Sequence, residues 1–325
     1  MMAGQKLSKE GDVLQALSIA FHAIVPLFLI IALGYLTKRI GWLNQEDVRR
    51  FNRVTFYTFM PVMLFYNIYS SDFSQAVRAP YVLLVASCAV GMILLSIVIT
   101  LPLEKEAARR GVMIQAAFRS NFVLLGMPIA MELLPGGNLG VTALMIAIVV
   151  PLYNIAAVLV LEYFRGGKPK IGKVLLSVAK NPLLIASVLG LLAKAVHLML
   201  PGVLASFASK MNGAATPVIL LLLGASFESR DLSSYKKELL ICVGLRLVIF
   251  PGAILSLAMA LGIRDMEFVT LLALCAAPTA VNSFNMAQQL GGDSQLAGSA
   301  VVTSTALSCV TLFIWITLFK QLGAF

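Results

Sequence analysis

The sequence predicts an all-α integral membrane protein with ten transmembrane helices, arranged as two inverted repeats of five. Of the 325 residues 59% are hydrophobic and 12% charged, with a mean hydropathy of +0.91, whereas soluble proteins carry about 25% charged residues. LGYLTK at 33–38 matches LGLLAK at 189–194, and MELLPGGN at 131–138 matches MAQQLGGD at 286–293. Because a repeated unit of five crossings enters the membrane from the opposite side, these matches predict the inverted repeats of secondary transporters.

Ten apolar stretches are long enough to cross the membrane, for which a helix needs about 20 residues. The apolar run of the first stretch is too long for a secretory signal, and no small-residue cleavage site follows it. The connections are short, so the predicted units are a first repeat (1–163), a cytoplasmic connector (164–172) and a second repeat (173–325). The ten predicted spans cover 14–36, 52–70, 80–103, 112–133, 139–163, 173–197, 205–227, 237–261, 267–289 and 296–319.

The positive charges predict the orientation of the chain in the membrane. Sixteen of the 25 Lys and Arg residues fall in loops on one side of the spans and seven on the other, while Arg119 and Arg246 lie within spans. The positive-inside rule places the richer side in the cytoplasm. We therefore expect a multi-pass cell-membrane protein (of the inner membrane if it is bacterial) with both termini extracytoplasmic. The net charge of +10 then requires no nucleic-acid partner.

The four cysteines predict neither disulfides nor a metal site. All of them lie in apolar stretches and form no C-x-x-C pair, which is typical of small core residues. We expect no metal and no cofactor. The cysteines are Cys88, Cys242, Cys275 and Cys309.

Spans four and nine, each the fourth helix of its repeat, are unusually polar and contain proline. They read FRSNFVLLGMPIAMELLP and CAAPTAVNSFNMAQQLGG. Proline lacks an N–H and clashes with the carbonyl four residues before it, so Pro128 should free the carbonyl of Leu124 and Pro278 that of Leu274. Free backbone groups are tolerated at membrane depth only where protein or a cavity covers them. We predict that both helices break and cross at mid-membrane.

Such a crossing predicts a binding site for a small carboxylate. A half-helix N-terminus carries partial positive charge, and Asn side chains offer neutral donors to an anion. Asn121 and Asn282 are the main candidates. The further candidate site residues are Arg119, Ser120, Pro128, Tyr153, Asn154, Pro278, Thr279 and Ser283.

Simpler roles for these residues remain open at this point. Proline also produces plain kinks. An Asn side chain in a membrane helix can simply form an interhelical hydrogen bond, which contributes only about 0.6 kcal/mol. Ser and Thr can bond their own helix, and Arg119 is near enough to the interface to snorkel. No acid is plainly mid-membrane, so the sequence assigns no coupling ion.

Five motifs in order resemble the auxin efflux carrier family, in the bacterial branch related to the plant PIN auxin exporters. They are FNRVTFYTFMPVMLFYNIYSSD, SNFVLLGMP, VPLYNIAAVLVLE, NPLLIASVLGLL and PVILLLLGASF. The resemblance implies a ten-helix inverted-repeat fold, an organic anion bound where helices four and nine cross, and an elevator-type motion. It also implies a homodimer formed by a scaffold that includes spans two and seven. Asn121 matches the family's carboxylate-binding Asn, and Asn154 a cavity-lining position.

The sequence departs from the plant members in two places. Only about eight residues near 164–171 stand where many plant members have a long cytoplasmic loop. The repeat pairs Pro128 with Ser283. The resemblance implies a proline at this position in plant members, so in this sequence Pro278 must break span nine alone. Bacterial relatives are linked to dicarboxylates such as malonate and malate.

These observations predict a secondary transporter of small organic carboxylates, either dicarboxylates or auxin-like acids, with membrane lipids as its surroundings. A sodium-coupled symporter of the related bile-acid type is the alternative, but span nine has no acid before Asp293. An enzyme or receptor is less favoured, since the spans contain no H-E-x-x-H, no G-x-S-x-G and no pair of buried acids. We therefore predict that the protein is not an enzyme.

Overall fold

A computed structural model describes most of the chain and is built from helices. The described residues are 25–26, 28–70, 79–122, 129–130, 132–134, 139–165, 176, 179–226 and 234–325. Five helices in this part are long and apolar enough to cross a membrane. The protein is therefore an all-α membrane protein.

The helices are numbered along the chain as follows. They are α1 (28–39), α2 (Gln45–Tyr57), α3 (Phe59–Ser70), α4 (Ala79–Leu103), α5 (Ala107–Phe118), α6 (Leu139–Tyr163), α7 (Pro182–Ala195), α8 (Gly202–Ser226), α9 (Lys236–Gly244), α10 (Phe250–Ala260), α11 (Asp265–Ala276), α12 (Asn282–Gln289) and α13 (Ser294–Gln321). A π-helical turn, Leu245–Ile249, joins α9 to α10.

Five of the ten predicted spans agree with these helices to within three residues: 80–103, 139–163, 205–227, 237–261 and 296–319. Span six (173–197) differs, because α7 begins only at Pro182, after Asn181 as its N-cap. Span two differs: it includes the end of α2 as well as α3, because the backbone leaves the helical conformation at Thr58. α2 itself begins with a capping box at Asn44, whose side chain accepts hydrogen bonds from two backbone N–H groups of the first turn. Spans four and nine are interrupted, as described below. The predicted connector lies mostly outside the described residues.

The helices pack as two groups that share a narrow interface. In the first packing group, α2, α3, α7 and α8 contact mainly one another, and α1 lies against α8. In the second packing group, α4, α5, α6 and α9 to α13 pack together. Contacts between the groups run chiefly from α12 to α2 and α8, and from α6 to α7.

Two glycines allow α1 and α8 to approach at backbone distance. A Cβ atom placed on Gly34 would lie 1.9 Å from the carbonyl oxygen of Leu221, and one on Gly224 would lie 1.9 Å from that of Ile31. Small residues at such positions are how membrane helices pack without a hydrophobic driving force. The two contacts hold the first and seventh predicted spans together inside the first packing group.

We expect Gly34→Ala and Gly224→Ala each to destabilise the protein. The added methyl group meets backbone, which cannot rotate away, and overpacking of this kind costs about 1–3 kcal/mol. Thermal unfolding followed by size-exclusion chromatography in detergent measures the effect. Gly213→Ala in α8 is the matched control, since a Cβ there meets nothing within 4 Å. Equal melting temperatures for the three variants would contradict the close packing.

Candidate functional site

The broken helices of spans four and nine meet at a short antiparallel pair of extended segments. α5 ends at Phe118 and α11 ends at Ala276. The N–H of Asn121 donates to the carbonyl of Pro278 at 2.8 Å, and the N–H of Ala280 donates to that of Arg119 at 3.0 Å. These two bonds form a bridge between the segments. Backbone groups that lost their helical partners thus satisfy each other, as membrane depth requires.

Span four is interrupted before its proline, and the break predicted between Leu124 and Pro128 lies outside the described residues. The extended segment is 119–121, well before Pro128, and helical conformation resumes at Phe122. Pro128 and Leu124 themselves are outside the described residues. The break falls at Arg119 because its backbone pairs with the segment after α11, so tertiary pairing fixes its position. In span nine, the break surrounds Pro278 as predicted.

Arg246 caps the C-terminal ends of both interrupted helices. Its guanidinium is fully buried and donates to four carbonyls: Phe118 at 3.0 Å, Ala277 at 2.8 Å, Leu274 at 2.6 Å and Cys275 at 2.7 Å. The carbonyl of Leu274 is the one that Pro278 was predicted to free. A positive charge here also complements the negative ends of two helix dipoles. Arg246 stands in the π-helical turn, a feature often found at functional sites.

Side-chain hydrogen bonds reinforce the crossing from other directions. The hydroxyl of Thr279 donates to the carbonyl of Ala116 at 2.9 Å, and its N–H donates to the hydroxyl of Ser304 at 3.1 Å. The amide of Gln115 donates to the carbonyl of Ser283 at 3.1 Å. Two of the candidate site residues, Thr279 and Ser283, therefore contribute to the crossing through these bonds.

A cavity of about 40 Å³ lies between the crossing, α6 and the first packing group. A water molecule needs about 10–15 Å³ by the same measure, so the cavity has room for a small solute. Six candidate site residues line it: Arg119, Ser120, Asn121, Tyr153, Asn154 and Asn282. The other lining residues are Met63, Leu64, Asn67, Val150, Ala280 and Thr216.

Arg119 presents a buried positive charge with neutral partners. Its side chain is 3% exposed; one nitrogen donates to Oδ1 of Asn154 at 2.5 Å and another to the sulfur of Met286 at 2.7 Å. It forms no salt bridge with any residue that the structure describes. A buried cation without a carboxylate partner is costly, which an anion in the cavity would relieve.

Buried polar atoms of the cavity-lining residues lack a protein partner. Nδ2 of Asn121, Nδ2 of Asn154 and Oγ of Ser120 have no hydrogen bond within the described part of the chain. The two amide nitrogens can only donate. These donors are complementary to a ligand that accepts hydrogen bonds, such as a carboxylate.

The N-terminus of α12, also at the crossing, is partly satisfied already. The N–H of Ser283 donates to the carbonyl of Ala280 at 2.9 Å, and that of Phe284 to Val281 at 3.2 Å. Less of its partial positive charge is therefore available to a ligand than the sequence predicted. The side-chain amide of Asn282, at the first position of α12, is half-buried and lines the cavity.

Asn67 and Thr216 are cavity residues that the sequence analysis missed. They come from α3 and α8, in the spans that the resemblance assigned to a scaffold. For Asn67 the available signal was a side-chain amide in a largely apolar helix. Thr216 gave no such signal, because α8 also contains Ser206, Ser209, Lys210 and Asn212. Pro278, Thr279 and Ser283 stand at the crossing but do not line the cavity. Over the described residues, no group of three or more His, Cys, Asp or Glu side chains could hold a metal ion.

Broken membrane helices that cross beside a polar cavity define a class: membrane proteins that bind a small solute within the bilayer. The sequence profile of a family described as membrane transport protein matches residues 19–316. The chain belongs to this family, which is the auxin efflux carrier-like one. The resemblance found in the sequence is thereby confirmed, and the protein is a multi-pass membrane protein.

Relatives match over nearly their whole length. An uncharacterized transporter of Methanothermobacter thermautotrophicus is 26% identical over 304 residues, covering 90% of this chain and 96% of the relative. A protein of Rhizobium meliloti named "Putative malonate transporter" is 26% identical over 308 residues, covering 89% and 92%. An uncharacterized transporter of Methanocaldococcus jannaschii is 23% identical over 307 residues, covering 91% and 98%.

Proposed function

We propose that the protein is a secondary transporter of small organic carboxylates, bound in the cavity beside the crossing. One observation carries the proposal: a buried arginine shares a cavity wall with amide donors, and neither the arginine has an acidic partner nor the amide nitrogens a hydrogen-bond acceptor among the described residues. This set of groups is complementary to a small oxyanion such as a carboxylate. The name of one relative, "Putative malonate transporter", supports a carboxylate as the substrate class.

The proposed transport cycle moves the second packing group against the first. In this proposal the ten transmembrane spans form two inverted repeats. The narrow interface between the packing groups suits an elevator-type displacement, which carries the crossing and its substrate together. The first packing group, which includes spans two and seven, serves as the scaffold and forms the homodimer. Both termini are extracytoplasmic in this proposal, which rests on the positive-inside rule.

Uptake into proteoliposomes tests the site. Asn121→Ala and Asn282→Ala should each lower carboxylate counterflow at least about tenfold, since each removes a donor at the cavity wall. Asn212→Ala is the matched control, because this asparagine of α8 is half-buried and does not line the cavity. Rates like those of the control in both cavity variants would refute the site.

A sodium-coupled symporter of the bile-acid type is the second candidate. It would need acidic ligands at the breaks, and the first acid that follows the break of span nine, Asp293, serves elsewhere. Its carboxylate caps α13 at the N–H of Leu296 and accepts from the hydroxyl of Tyr235 at 3.0 Å. We therefore expect the uptake rate to be the same in sodium and in choline; a dependence on sodium would favour this candidate instead.

A further inference from the structure

The described part of the cavity wall contains one full charge. Arg119 supplies it, and the remaining lining residues carry neutral amides, hydroxyls or apolar groups. None of these lining residues is an acid. The electrostatic question for a substrate is therefore how many negative charges a single guanidinium can balance.

A second arginine lies near the crossing, but its guanidinium is bound to the ends of the two interrupted helices. All four hydrogen bonds of Arg246 go to carbonyls at the ends of α5 and α11, where two helix dipoles place negative partial charge. Arg246 is fully buried and does not line the cavity. Its charge acts on Tyr153 in the cavity wall, but it is balanced mainly by the two helix ends that its guanidinium caps, so Arg119 is the main positive charge that a substrate meets.

The N-terminus of α12 also offers little positive charge to a second carboxylate. The N–H groups of its second and third residues, Ser283 and Phe284, donate to the carbonyls of Ala280 and Val281. A second ionised carboxylate would thus face only neutral donors in a buried site. An uncompensated charge in such a place tends to neutralise by taking up a proton.

We propose that the transported species is a monoanion. Monocarboxylates enter as such, and dicarboxylates enter with one carboxyl ionised against Arg119 and the other protonated. This inference rests on the proposed function and specifies the substrate class of the same site. A protonated carboxyl can still accept hydrogen bonds from the unpartnered amides of Asn121 and Asn154, and it adds a donor of its own.

The pH dependence should come from the substrate. Among the described residues, five titratable side chains line the cavity or interact electrostatically with Tyr153 in its wall. They are Arg119 at the break after α5, Tyr153 in α6, Arg246 in the π-helical turn, Cys275 in α11 and Cys88 in α4. Arginine and tyrosine ordinarily titrate above about pH 10, and cysteine near about 8.5. None of these groups should change charge while the second carboxyl of a dicarboxylic acid titrates.

The test compares malonate with its monomethyl ester, which stays a monoanion at every pH used. Counterflow into proteoliposomes of the wild-type protein gives the KM of each compound between pH 6 and 8, with protein-free vesicles subtracted. Above the second pKa of malonic acid, the KM of malonate should rise about tenfold per pH unit, since only the monoanion fraction is competent. The KM of the ester should stay constant.

Each result has a separate meaning. A malonate KM that does not change with pH would overturn the monoanion inference while leaving a carboxylate transporter. An ester KM that rises in parallel with that of malonate would place the titration in the protein and overturn it as well. If the ester is not carried, pyruvate replaces it. Failure of every carboxylate to undergo counterflow would refute the proposed function itself.

Discussion

Replacing Arg246 with methionine should abolish the folded protein. The guanidinium satisfies four buried carbonyls at the ends of two helices, and each carbonyl left unpaired costs roughly 1–3 kcal/mol. Together these losses approach the whole stability of a typical protein, about 5–15 kcal/mol. We expect little monodisperse protein after solubilisation, and no counterflow from any that is recovered.

Two further variants separate this capping role from the loss of any arginine. Arg246→Lys keeps the charge but not the planar fork of donors, so it should give a lower melting temperature than the wild type and weak counterflow. Arg264→Met is the matched control, because Arg264 also donates to backbone carbonyls, those of Met259 and Ile263, but stands at the end of α11 opposite the break. The Arg264→Met protein should keep a melting temperature and a counterflow rate close to those of the wild type. An Arg246→Met protein as stable as Arg264→Met would show that the caps are dispensable.

Hydrophobic length predicted the uninterrupted helices well. The predicted spans 80–103 and 139–163 agree with α4 and α6 almost to the residue, because the bilayer sets the length of an apolar helix. The proline rule did not predict the extended segment at 119–121, since it considers only one helix. The position of this segment depends on pairing between Arg119 and Ala280, which are 161 residues apart.

The candidate site was predictable where a polar side chain stands out in an apolar helix. Asn154 was found in this way, whereas Asn121 and Asn282 were found because spans four and nine are unusually polar; all three line the cavity. The role of Arg246 was not predictable, because its four acceptors are backbone carbonyls that carry no sequence signal. Similarly, nothing in the sequence shows that the hydroxyl of Thr279 bonds the carbonyl of Ala116 and faces away from the cavity.

One polar contact joins the two packing groups at their interface. Nδ2 of Asn285, in α12, donates to Oδ1 of Asn52, in α2, at 3.0 Å and to its backbone carbonyl at 3.3 Å. Both side chains are fully buried, and the remaining polar atom of each amide has no described partner. Such a pair holds one arrangement of the groups only weakly. An elevator-type displacement of the second packing group would have to separate it.

Joining these two positions covalently should therefore stop transport. We expect Asn52→Cys with Asn285→Cys, in a protein whose four native cysteines are replaced by serine or alanine, to lose counterflow at least about tenfold after oxidation or reaction with a short bifunctional thiol reagent. Reduction should restore the disulfide-linked sample to its rate before oxidation. The same carboxylate and the same vesicles serve all conditions, and gel mobility after proteolysis reports the fraction cross-linked.

A cross-link inside one packing group separates lost motion from general damage. The hydroxyls of Thr142 in α6 and Thr270 in α11 lie 2.7 Å apart, and both helices belong to the second packing group. Thr142→Cys with Thr270→Cys should keep its counterflow rate when cross-linked, because these helices move together. If the link between α2 and α12 leaves transport equally unchanged, the two groups do not move against each other there, and substrate must reach both sides of the membrane by a smaller local opening at the cavity.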